Sequence, residues 1–130
     1  MSNLSGNGRR GDGRKDLGRK AEQLACEHLL SQGFTIVERN WRCRTGEIDI
    51  IANKANLLII VEVRSRSQQA AAFGSPAESI TPRKIKQVRD TAAVYLHRTG
   101  QFAANIRFDV VAVTFGRGEE LTLEHIPAAF

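Results

Sequence analysis

The chain has 130 residues, of which 42% are hydrophobic and 25% charged, with a formal net charge of +5. That length suits one domain around one core, and the composition is that of an ordinary globular protein rather than a low-complexity or disulfide-framed chain. No apolar run approaches the roughly 20 residues of a membrane-spanning helix. MSNLSGNGRRGDGRKD has no apolar signal core, so we expect a cytoplasmic protein without a membrane partner.

The charge is unevenly placed. Arg9, Arg10, Arg14, Lys15, Arg19 and Lys20 stand against Asp12 and Asp16 at the N-terminal end, while the rest of the chain is nearly neutral. We expect residues 1–15 to be a disordered basic tail, able to touch nucleic acid through charge or simply to be solvated, and residues 16–130 to form one domain. Cys26 and Cys43 have no metal-like spacing and are expected as reduced thiols.

From Asp16 the pattern turns helical, with Leu17, Ala21, Leu24, Ala25, His28 and Leu29 on one face, Asp16 as cap and Gly33 as stop. Phe34–Glu38, Gly46–Ala52 and Leu57–Ser65 read as three strands. A Gly/Ser/Pro break follows at Phe73-Gly74-Ser75-Pro76. A second helix then starts with Thr81 as cap and Pro82 at its first position. Its apolar face is Ile85, Val88, Ala92, Tyr95 and Leu96; Arg83, Lys84, Lys86 and Arg89 crowd its first turns, and Gly100 closes it. Ile106–Phe115 and Leu121–Ile126 complete an α/β fold in the order α-β-β-β-α-β-β.

Strands two and three carry acids among Ile and Val, where a buried strand would have none unless the carboxylates are paired or bind a cation. If Asn53 faces Leu58 in an antiparallel hairpin, Asp49 faces Glu62 and Glu47 faces Arg64, all on one side of the sheet. Two carboxylates so close repel, and one holds a proton unless a cation lies between them. A hard ion such as Mg²⁺ or Mn²⁺ would suit them. Equally, Glu47 and Arg64 could form a plain ion pair, with Asp49 and Glu62 accepting from backbone amides or from Arg42 and Arg44.

These motifs together resemble the YraN family of small bacterial proteins, which look like archaeal Holliday-junction resolvases within the PD-(D/E)XK nuclease superfamily. The resemblance is carried by Gly18-x-x-x-Glu22, Arg39-Asn40-Trp41-Arg42, Gly46-Glu47-Ile48-Asp49, Val61-Glu62-Val63-Arg64-x-Arg66, Phe73-Gly74, Lys84 and Arg107-Phe108-Asp109-Val110-Val111. It implies a restriction-endonuclease-like mixed sheet of about five strands flanked by helices, and a Mg²⁺- or Mn²⁺-dependent endonuclease acting on DNA, branched DNA included. It implies that Asp49, Glu62 and the Val63 carbonyl hold the metal, and that Glu22 supports the metal or its water. Arg64 stands where the motif has lysine. Arginine keeps the charge but hardly ever gives up its proton, so the role we expect of it is charge stabilisation rather than that of a general base. That departure equally suits a non-catalytic nucleic-acid-binding module, and a third reading is a protein-interaction domain whose acids only make ion pairs.

Arg42, Arg44 and Arg66 flank the acidic strands and, with Lys84, are candidate contacts to a nucleic-acid backbone. Trp41 could stack on a base or belong to the core. His28, His97 and His125 form no triad or zinc motif and read as structural; Asp109 reads as a partner for Arg107 or a cap on a neighbouring strand, with no chemistry assigned to it. Resolvase-like enzymes often pair to match two-fold junctions, so the resemblance also allows a homodimer.

Overall fold

The computed structural model describes residues 10–68 and 80–130. The expected break at Phe73–Pro76 and most of the basic tail lie outside these residues. The elements are α1 (Arg10–Ser31), β1 (Thr35–Cys43), β2 (Gly46–Lys54), β3 (Leu57–Ser67), α2 (Pro82–Arg98), β4 (Asn105–Phe115) and β5 (Leu121–Ile126). Their order is the one the sequence led us to expect. The sheet runs β1-β2-β3-β4-β5, with β3 and β4 parallel and the other neighbours antiparallel. The parallel pair needs a long crossover, and α2 lies on it.

Alternation in the central strands builds two cores. Ile59 and Val61 point to one face, where they pack with Ala21, Ala25 and Leu29 of α1. Leu58 and Ile60 point to the other, against Val88, Ala92 and Tyr95 of α2. A strand covered on both faces reads as a continuous apolar run, as β3 does. Glu62 interrupts that run.

Local chemistry sets the element ends. The Gly33 backbone takes a φ of 88°, which a side chain disfavours, and the Phe34 and Gly33 N–H groups return to the Leu29 and Leu30 carbonyls at 3.0 and 3.1 Å. Thr81 Oγ1 accepts from the Lys84 N–H at 3.1 Å, with Pro82 next to the cap. β2 and β3 each run two residues past their expected ends, and two other elements run much longer than the sequence suggested. α1 starts at Arg10, so Asp16 is not its cap; it pairs instead with Arg19 along the exposed helix (3.4 Å). β1 continues past Glu38 to Cys43, through an irregularity between Ile36 and Glu38 and a left-handed Asn40 (φ 53°). Trp41 therefore sits in the sheet and packs edge-on against Tyr95 (5.2 Å), on the α2 side.

Candidate functional site

The β2–β3 hairpin has the expected register: Lys54 faces Leu57, Asn53 faces Leu58 and Ile50 faces Val61. The turn is tight, since only Ala55 and Asn56 lie between the paired ends, both at positive φ. Backbone pairing stops at Ile50–Val61. Beyond it the Val63 N–H donates to Asp49 Oδ2 at 2.8 Å, so a side-chain oxygen takes the place of a ladder carbonyl. The side-chain alternation breaks at the same point. Ile48 packs on the α2 side and Ile50 on the α1 side, although residues two apart in a regular strand share a face.

At this break Asp49 meets Glu62. Glu62 is 4% exposed, in a strand core where an unpaired charge would be costly. Burial, the charge of Glu62 and a hydrogen bond with it push the Asp49 carboxyl up to about 7, against the lowering effect of the Val63 N–H. Burial beside a second carboxylate thus favours the protonated form of Asp49. Lys84 Nζ stands 3.4 Å from Glu62 Oε2 and Arg64 Nη1 stands 3.9 Å from the same oxygen.

Glu22 faces this site from α1. Burial and then the Asp49 charge raise its carboxyl, while the Asn40 side chain bonds to it and lowers it. Glu47 does not pair with Arg64. It takes Arg42, whose Nε lies 2.7 Å from Glu47 Oε2. Asp49, Glu62 and Arg64 are therefore brought together, with Lys84 added from α2, while Glu22 lies near enough to Asp49 for their charges to interact. The other basic candidates spread out: Arg44 is exposed on the β1–β2 turn, and Arg66 Nε donates to Thr114 Oγ1 on β4 (3.3 Å). Asn40, whose side chain bonds to Glu22, stood in the Arg39-Asn40-Trp41-Arg42 stretch without a role, and the left-handed conformation it adopts here is one that Asn tolerates.

Asp109 lies elsewhere and does other work. It is fully buried, accepts from Arg107 Nε and Nη2 (2.8 Å each) and from the Ala128 N–H (3.0 Å), and has His125 Nε2 at 2.8 Å. His28 stacks edge-on against His125 (5.3 Å) and His97 against Phe102 (5.5 Å). These are structural contacts, as expected of the three histidines.

Among the described residues, no three His, Cys, Asp or Glu side chains converge as a ready cage for a metal. A zinc-type site with three or four protein ligands does not fit. Two adjacent carboxylates with a repulsive charge do fit a hard ion, which binds one or two protein carboxylates and completes its shell with water and substrate phosphate.

The chain was compared with known proteins. Residues 21–113, which include Glu22, Asp49, Glu62, Arg64 and Lys84, match the uncharacterised protein family UPF0102. A UPF0102 protein of Anaeromyxobacter dehalogenans is 46% identical over 125 residues, covering 96% of this chain and 91% of the relative. Relatives of the same description from Rhodococcus jostii (41% identical, 88% of this chain and 95% of theirs) and Flavobacterium johnsoniae (40%, 88% and 94%) match along similar lengths. No helix among the described residues is long and apolar enough to cross a membrane.

Proposed function

The chain belongs to the uncharacterised protein family UPF0102, whose name states no activity, and from the geometry of its buried acids we propose that it is a metal-dependent endonuclease acting on DNA, with branched DNA such as a four-way junction as the favoured substrate. The supporting observation is the Asp49–Glu62 pair, two acids set side by side in an apolar sheet and rimmed by Lys84 and Arg64. Such an arrangement destabilises the fold unless a proton or a cation relieves the repulsion, which is what a bound divalent ion would do.

Asp49, Glu62 and the Val63 carbonyl would hold Mg²⁺ or Mn²⁺, which supplies a lowered water pKa and charge stabilisation at phosphorus. The chain's own groups do the rest. The Val63 N–H fixes the Asp49 carboxylate, and Asn40 fixes Glu22 beside it. Arg64 keeps its proton and offers N–H donors to the charge that develops on the phosphate oxygens. Groups able to accept the proton of the attacking water are therefore the carboxylates. Arg44, exposed on its turn, is available to a strand phosphate.

Arg64 also favours a second reading, a nucleic-acid-binding module that has the fold without efficient chemistry. One experiment separates the two. A labelled four-way junction is incubated with Mg²⁺ or Mn²⁺ beside linear duplex and single-strand controls and an Asp49→Ala protein. Metal-dependent cutting lost in the variant supports the nuclease. Junction binding without cutting of any substrate by the wild type overturns it in favour of the module.

A further inference from the structure

Lys84 stands at the acidic pair but comes from outside the two strands that carry it. It comes from α2, yet its Nζ is nearer Glu62 Oε2 (3.4 Å) than Arg64 Nη1 from the neighbouring position of β3 (3.9 Å). Its backbone is pinned. The Lys84 N–H donates to the Thr81 cap, and one turn later Gln87 Nε2 donates to the Thr45 carbonyl on the β1–β2 turn (3.2 Å). The side chain is not pinned in the same way: it is 34% exposed, on a four-carbon stem. It also lines an open cavity of about 400 Å³ shared with Thr45, Arg83 and Lys86. Asp90, the acid in that lining, is taken up by Lys86 at 2.6 Å. One side of Lys84 thus meets a carboxylate and the other a basic cavity.

We propose that Lys84 is a positioning residue that serves two partners in turn: it neutralises Glu62 while the carboxylate pair lacks a divalent ion, and it turns to a strand phosphate in the adjoining cavity when the pair holds one. The inference rests on the metal reading above. An ammonium and a divalent ion repel each other at a shared carboxylate, so Lys84 leaves Glu62 as the ion is taken up. Its three N–H donors then face a cavity whose remaining charge attracts an anion. Ion binding and nucleic-acid binding are therefore coupled through one side chain, and the coupling is reciprocal.

The test uses the full chain at fixed ionic strength. Mn²⁺ affinity is read by electron paramagnetic resonance without nucleic acid. The affinity for a phosphorothioate-substituted four-way DNA junction, which keeps its charge, is read by fluorescence anisotropy with and without Mn²⁺. For the wild type we expect Mn²⁺ to tighten junction binding about tenfold, within the usual range of such couplings. Lys84→Met should bind Mn²⁺ several-fold more tightly on its own, because a competing cation is gone, and should lose most of the coupling. Lys86→Met should keep it. Should Lys84→Met fail to fold, Lys84→Gln carries the same expectation. Coupling unchanged in the Lys84 variant overturns the inference and leaves the carboxylate site standing. Mn²⁺ binding that is absent, or equal in wild type and Asp49→Asn, overturns the metal reading and this inference with it.

Discussion

Two aspartates in this chain, Asp109 fully buried and Asp49 half-buried, have opposite electrostatics, and each leaves its mark on stability. Asp109 is surrounded by donors, so its carboxyl falls to about 2 despite burial. A carboxyl depressed below its ordinary value of 3.8 stabilises the fold above that pH, and the contribution is lost as pH falls from about 4 towards 2. Asp109→Ala should cost about 2–4 kcal/mol in urea unfolding at pH 7, since it strands Arg107 and the Ala128 N–H. Asp49 runs the other way. Its carboxyl is raised, so the folded state binds the extra proton, and stability declines as pH rises from about 4 through 7. Asparagine at this position can still accept from the Val63 N–H and can donate to Glu62. Asp49→Asn, measured in EDTA, should therefore be more stable than wild type by roughly 1–3 kcal/mol at pH 8. The gain should vanish near pH 5, while metal-dependent activity is lost at every pH. Equal stability of the two proteins at pH 8 would remove the case for a strained pair.

At the scale of elements, the parts set by local pattern could be read from the sequence. The register of β2 on β3 was one, because the short polar break between the two runs places Asn53 opposite Leu58, which is the pairing found. The α2 start was another, because Thr81-Pro82 is a cap and first-turn signal. What could not be read depends on distant partners. The break in alternation at Asp49 is tied to the Val63 N–H and lies near the left-handed Asn40, which no periodicity reports. The early start of α1 was hidden because Gly11 and Gly13 read as chain punctuation, although a glycine costs a helix only about 1 kcal/mol. The pairing of Glu47 with Arg42 rather than Arg64 was one of several ion pairs the sequence left open. The Ala55-Asn56 turn also carries a correctable defect, since Ala55 is held at φ 51°. Replacing the two residues by Asn-Gly, which suit this turn, should raise stability by about 1 kcal/mol. In a chain of this size that is a rise of about 3–5 °C in Tm, checked by calorimetry. No rise would mean that the positive φ values are relaxed elsewhere in the hairpin.

Over the whole molecule, the three layers explain why the acids meet where they do. Glu22 comes from the helix on one face, Lys84 from the helix on the other, and Asp49 and Glu62 from the two strands between them. The site thus forms only when both helices have docked. Its cations are already engaged in large part: Arg42 with Glu47, Lys84 with Glu62, Lys86 with Asp90. A net charge of +5 therefore overstates what a nucleic acid would meet at the site itself. If three or four phosphates are neutralised there, the logarithm of duplex affinity should fall with the logarithm of salt concentration at a slope of about −3 to −4. Arg44, exposed on the β1–β2 turn, has no hydrogen bond or ion pair among the described residues to give up in reaching a phosphate. Arg44→Ala should therefore reduce the slope by about 1 and weaken binding evenly across sequences. Arg42→Ala should do less, because its charge is already taken by Glu47. Anisotropy titrations between 50 and 200 mM salt read both numbers. Equal slopes for Arg44→Ala and wild type would place the nucleic-acid surface on another part of the molecule.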